Sequence, residues 1–327
     1  MKSSKLRIIF GFTIVALALA VTFIVGTNYY AIHDTIRSWS FNPTPAVENV
    51  RKELNLTDAG DLIFKATNPT LDESQAFNSS CQSFDQAVTI LGCYTDGNIH
   101  VYDVKSDELD GIVEATVAHE MLHAVWARLS EDERSSLTED LKTVFKNNYG
   151  RLSVVNDYAD DVKFDELFAR AGTEIRDIPE NLEKVYSRYF TNRSAIVSKY
   201  ERFRAVFDEL ADEIETLSSE IENLRTKIDA DVKSYKERVA SFNAAAAEFN
   251  DCANTTNCFT SEYTFTKRRS EIIAEQEELN EFYERIMKEV EECNEKIRQY
   301  NNNVLKTNQY NEVINSNIER VEQWKIH

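Results

Sequence analysis

Apolar positions recur at alternating steps of four and three along the C-terminal part of the chain. They run from Ile196 through Tyr200, Phe203, Phe207, Leu210, Ile214, Leu217, Ile221 and Leu224 to Ile228. That spacing is a heptad seam on a helix. One extra step of four leads to Val232, a stutter, and the pattern resumes through Tyr235, Val239, Phe242, Ala246 and Phe249. A second seam runs Leu279, Tyr283, Ile286, Val290, Cys293, Ile297, Tyr300 and Val304, with Ile314, Ile318 and Val321 beyond it. The polar stretch Asp251 to Cys258 interrupts the helical period between them. A long helix with one apolar stripe must bury that stripe against a partner. The neighbour across a short loop costs least in closure entropy. The expectation over residues 195–327 is therefore an antiparallel coiled-coil hairpin, able to hold a protein partner.

Upstream the period is mixed. Residues 27–45 read as a linker ending at Pro43 and Pro45, followed by a short helix from Ala46 to Leu54. Leu62 to Ala66 reads as a strand. Ala87 to Tyr94 and Asn98 to Val104 are β-rich runs around Thr95-Asp96-Gly97, a hairpin signal. Helical spacing begins near Ile112 and ends near Leu129. Ser130 with Glu133 is a capping-box signature for the next helix. A further helix is expected from Phe164 to Arg176, stopping before Pro179.

The first 26 residues change the picture. Lys2, Lys5 and Arg7 precede an uncharged, largely apolar run from Ile8 to Val25. As a helix it would span about 27 Å, close to the hydrocarbon thickness of a bilayer. The expectation is a single-pass membrane anchor with a cytoplasmic N-terminus and the bulk of the chain outside. A signal peptide cleaved after Ala18-Leu19-Ala20 is the competing reading, but the apolar run continues to Val25.

Composition narrows the function classes. Glycine and proline are scarce, 8 and 4 in 327 residues, which favours helix over sandwich. A formal charge of −19 argues against nucleic acid as a partner, because phosphate binding needs a basic face. Cys81 with Cys93, and Cys252 with Cys258, are close pairs and disulfide candidates. Cys293 is the odd one, expected to pack inside a helix pair. No C-x-x-C occurs, which disfavours a cysteine zinc knuckle.

The chemistry concentrates in His119-Glu120-Met121-Leu122-His123. Histidines four apart on a helix share one face, so both can bind one metal ion, and the intervening glutamate can reach a metal-bound water. Catalytic zinc usually takes a third protein ligand. His100 lies upstream and His33 further still, and after the motif no histidine occurs until His327. A carboxylate from the later helix is the better candidate. Glu166 is chosen, with Glu174 and Asp165 as alternatives, because Ala169, Gly172 and Thr173 would let that helix approach the motif helix closely. Tyr149, Tyr158, His100 and Arg170 are possible donors to a developing oxyanion.

HEMLH followed by Asp165-Glu166-Leu167-Phe168-Ala169-Arg170 resembles the gluzincins, the thermolysin-like zinc peptidases with a His-His-Glu site. The resemblance covers about residues 87–178. It implies one Zn2+ ion on His119, His123 and Glu166, with Glu120 as general base, and an α+β zincin-like catalytic domain over residues 46–194. It also implies an edge strand that aligns extended substrate, for which Asn98 to Tyr102 is the candidate. The clan often carries an aspartate four residues after the glutamate ligand; here that place is Arg170. The expected function is a zinc-dependent endopeptidase acting on protein or peptide outside the membrane. The alternative is an exported coiled-coil binding or scaffold protein with structural zinc. A cell-wall peptide hydrolase has no wall-binding repeat to support it.

Overall fold

The structure, a computed structural model, describes residues 29–81, 90–157 and 160–315. In chain order its elements are α1 (Tyr29–Ser38), α2 (Pro45–Glu53), α3 (Asp58–Thr67), β1 (Thr70–Asp72), α4 (Ser74–Ser80), β2 (Gly92–Thr95) and β3 (Asn98–Tyr102). There follow α5 (Ile112–Arg128), α6 (Glu131–Asn147), α7 (Tyr149–Leu152), α8 (Asp160–Glu174), α9 (Glu180–Tyr186), α10 (Arg193–Ala253) and α11 (Glu262–Ile314). The described chain divides into two compact units, residues 29–206 with 310–315, and residues 207–309.

In the first unit α5 is the central element. Val117, Ala118, Met121, Leu122, Ala124 and Val125 are all fully buried, so this helix is apolar around most of its circumference, as an enclosed helix must be. It packs on α8, on β2 and β3, and on α2 and α3. The capping box at the next helix is formed: Ser130 Oγ accepts from the Glu133 amide at 3.2 Å, and the Glu133 carboxylate accepts from the Ser130 amide at 3.0 Å. The sheet has the order β1-β3-β2, with β1 parallel and β2 antiparallel to β3. Asp96 and Gly97 join β2 to β3 with φ of 51° and 77°, the left-handed pair that a two-residue hairpin turn demands.

Several expectations are corrected. The described chain is 78% helical with a single small sheet, so it is not the α+β architecture expected of a zincin-like domain. Leu62 to Ala66 lies in α3, not in a strand. Thr57 caps that helix by accepting from Gly60 N, Asp58 and Asp61 occupy its first turn, and Asn68 ends it in the left-handed conformation. The buried set Gly60, Ile63, Phe64 and Thr67 has the helical period. A Cβ on Gly60 would lie 2.1 Å from the Tyr189 carbonyl, so α3 reaches its neighbour only through a glycine.

Residues 27–45 are not simply a linker, because α1 occupies Tyr29–Ser38. Its Asp34 is buried and binds Arg128, at the end of α5, through two contacts of 2.7 and 2.8 Å. Arg128 also donates to the Ala124 carbonyl and to the Tyr94 hydroxyl of β2. Burial disfavours its charge, but Asp34 and Tyr94 outweigh that and raise its pKa. Removing one partner of such a pair leaves an uncompensated charge. Asp34→Ala is therefore expected to lower unfolding free energy by about 3–5 kcal/mol, read from urea titrations; a change within error would show that α1 is dispensable to the fold.

Among the described residues no helix is long and apolar enough to cross a membrane. The two helices of sufficient length, α10 and α11, carry acids and bases throughout, which hydrocarbon does not tolerate. The Ile8 to Val25 run lies outside the described residues. That corrects the expected transmembrane helix, and with it the single-pass placement: neither has an element among the described residues to carry it.

The second unit is an antiparallel helix pair. Asn303 donates to Glu213, Lys296 pairs with Glu220 and Lys227 with Glu289, so the register steps one heptad on each helix in opposite directions. Leu210, Ile221, Leu279, Ile286 and Cys293 are buried along the seam. The second stripe passes through Phe282, which is buried, and not through Tyr283, which is 46% exposed. Phe282 packs edge-on against Tyr235 at 5.9 Å. At the tip the Cys252–Cys258 disulfide closes the loop, and Phe249, Phe259 and Phe265 pack on one another in tilted and edge-on contacts.

Candidate metal centre

Two helices build the site. His119 and His123 lie one turn apart on α5, and their Nε2 atoms approach to 3.2 Å. Glu166 enters from α8, with Oε2 at 3.4 Å from His123 Nε2 and 3.7 Å from His119 Nε2. The helices approach this closely because the contact residues on α8 are small. Ala169 and Thr173 are buried, and a Cβ on Gly172 would lie 2.3 Å from Leu122 of α5.

The three donor atoms lie within 4.8 Å of one another, so His119, His123 and Glu166 could hold a metal ion. Bonds of about 2.1 Å to one four-coordinate ion, opened to a tetrahedral angle, place donor atoms about 3.4 Å apart. The distances of 3.2, 3.4 and 3.7 Å are short enough for all three donors to reach one ion.

The surroundings orient these groups. Asp165 Oδ1 accepts from His123 Nδ1 at 2.8 Å, leaving Nε2 for the shared point. Asp165, an alternative third ligand by sequence, thus sits behind a histidine. Glu174, the other alternative, is buried but held by Arg170 at 3.0 Å and lies outside the cluster. Arg170 also donates to Glu166 Oε1 at 2.6 Å. Burial opposes ionisation of Glu166, yet His119, His123 and Arg170 hold it far below the usual carboxylate range. Burial likewise opposes charge on His123, but Asp165 and Glu166 overcome it and raise its pKa.

Glu120 is buried beside the two histidines, and burial raises its pKa against their pull. Its carboxyl packs on the backbone of β2: a Cβ on Gly92 would lie 2.8 Å from Glu120 Oε1 and 2.7 Å from Thr116 Cγ2. Any side chain at position 92 must displace Glu120. A glycine within a strand pattern signals such close approach, so Gly92 was detectable from sequence although its partner was not.

The remaining sequence candidates lie elsewhere or have other partners. His100 is bound to Asp72 and Thr70 through Nδ1, at 3.1 and 3.0 Å. His33 stacks on Tyr29. Tyr149 is exposed, and Tyr158 and His327 lie outside the described residues. Arg170 is already committed to two carboxylates, which removes it as a donor to substrate. The Asn98 to Tyr102 segment is not an edge, because β3 is the middle strand; among the described residues β2 is the edge beside Glu120. The Cys81–Cys93 disulfide ties β2 to the end of α4. Compared with family models, curated proteins and solved structures, the chain matches none, so the resemblance to gluzincins rests on His119, Glu120, His123 and Glu166 alone.

Proposed function

We propose that this chain is a zinc-dependent peptidase of gluzincin type. The observation that carries the reading is the convergence of His119, His123 and Glu166 on one point, with Glu120 between the histidines in sequence. Two imidazoles and one carboxylate are a donor set of catalytic zinc, which keeps a fourth position for water. Zinc held there would bring the pKa of its water toward neutrality and polarise the scissile carbonyl. Glu120 accepts the proton of the attacking water and delivers it to the leaving nitrogen. Asp165 keeps His123 in one tautomer throughout. An extended peptide is the substrate class that suits the edge of β2, since a strand edge recognises backbone amides and carbonyls and β2 runs past Glu120.

The test is to incubate the whole chain with a mixed peptide library and read cleavage by mass spectrometry. Cleavage that disappears with chelator and returns with zinc is expected. No metal-dependent cleavage across the library overturns the peptidase reading.

One observation favours a second reading, a binding protein with structural metal. A solvent-open groove in residues 207–309 is lined by both apolar side chains, such as Ile214 and Tyr300, and polar or acidic ones, such as Glu215, Ser218 and Glu222. Tightly retained metal without cleavage of any peptide would select it.

A further inference from the structure

Glu166, Arg170 and Glu174 lie at successive i, i+4 positions on α8, with Arg170 bridging the two acids. The Arg170 Nε–H is spent on Glu166 Oε1 at 2.6 Å, while Oε2 is the oxygen that faces His119 and His123. A second guanidinium nitrogen, on Glu174 Oε1 at 3.0 Å, fixes the arginine from behind. Glu166 and Glu174 are nearly fully buried, and little solvent reaches Arg170 to compete for these bonds. Arginine suits the role because its planar fork holds two carboxylates in fixed directions and never loses its charge.

We propose that Arg170 is a positioning residue that restricts Glu166 to a single ligating oxygen and thereby sets the metal preference of the site. The inference rests on the metal-dependent reading above. A carboxylate free at both oxygens can turn both toward one ion, as oxygen-seeking ions of high coordination number favour. With Oε1 engaged, Glu166 offers one atom, and the site favours an ion content with four ligands and imidazole nitrogen. The positive charge also offsets part of the Glu166 charge, so the histidines contribute a larger share of the donation.

Cobalt reports coordination directly, because four-coordinate Co2+ absorbs visible light several-fold more strongly than five- or six-coordinate Co2+. The wild-type chain, Arg170→Met and Arg170→Lys are loaded with Co2+, and visible absorption per bound ion is recorded. The affinities for Co2+ and Mn2+ are measured by competition with a chelating dye. A several-fold drop in absorption for Arg170→Met, a rise in its Mn2+ affinity relative to Co2+, and recovery toward wild type in Arg170→Lys are expected. Removing Arg170 alone leaves the buried Glu174 without its ion-pair partner. Where that variant does not fold, the double variant Arg170→Met with Glu174→Gln takes its place. An absorption spectrum and affinity ratio unchanged from wild type overturn the proposal while leaving the metal site intact. Failure of the wild-type chain to bind Co2+ overturns the metal reading itself, and this inference with it.

Discussion

Glu120→Gln is expected to reduce peptide hydrolysis by about 10²–10⁴-fold, the usual contribution of a positioned general base, while metal content stays at the wild-type level. The separation of the two readouts follows from the geometry. His119, His123 and Glu166 supply the converging atoms, and Glu120 is not among them. Glutamine keeps the volume that packs against Gly92 and Thr116, so the strand and helix need not move. What it loses is the basic oxygen. Turnover is measured on a peptide that the wild-type chain cleaves, and metal by elemental analysis of the same sample. Near-normal turnover with metal retained would remove Glu120 from the mechanism. Loss of both metal and turnover would mean that Glu120 supports the site instead.

Glu166→Ala is expected to abolish stoichiometric metal binding, whereas Glu174→Ala keeps it. Both acids are buried on α8 and both bond Arg170, so burial and partners do not distinguish them. Direction does: only Glu166 places an oxygen against both histidines. Asp165→Ala should fall between, weakening metal affinity by about 10–100-fold, as is typical when a carboxylate behind a ligating histidine is removed. Competition with a chelating dye ranks the three variants. Metal lost in Glu174→Ala but kept in Glu166→Ala would transfer the third ligand to Glu174.

Local rules carried part of this protein directly from its sequence. The i, i+4 placement of His119 and His123 needs only that the segment be helical, and the apolar run around it ensures that. Asp96-Gly97 dictates its turn because glycine and aspartate tolerate the left-handed backbone that a two-residue hairpin requires. Ser130 and Glu133 announce a helix start through their own hydrogen-bonding reach. The heptad spacings require a partner helix, and the polar loop between them leaves each as the nearest partner of the other. In all four cases the deciding interactions span a few residues or repeat along one face.

Tertiary structure decided the rest, because those interactions join distant segments. Leu62 to Ala66 taken alone reads as a strand; the Thr57 cap and Asn68 end-cap that flank it, and the close contact of Gly60 with Tyr189, go with the helix. Tyr29 to Ser38 reads as part of a linker until Asp34 meets Arg128, 94 positions away. Which strand forms the sheet edge depends on β1 pairing with β3, and a three-residue strand leaves almost no periodic signal. By sequence Asp165 and Glu174 are alternative third ligands to Glu166, and Arg170 is a candidate donor to the oxyanion. They separate only when α8 is set against α5, because an electrostatic partner is defined by direction and distance in space, which spacing along one helix does not contain.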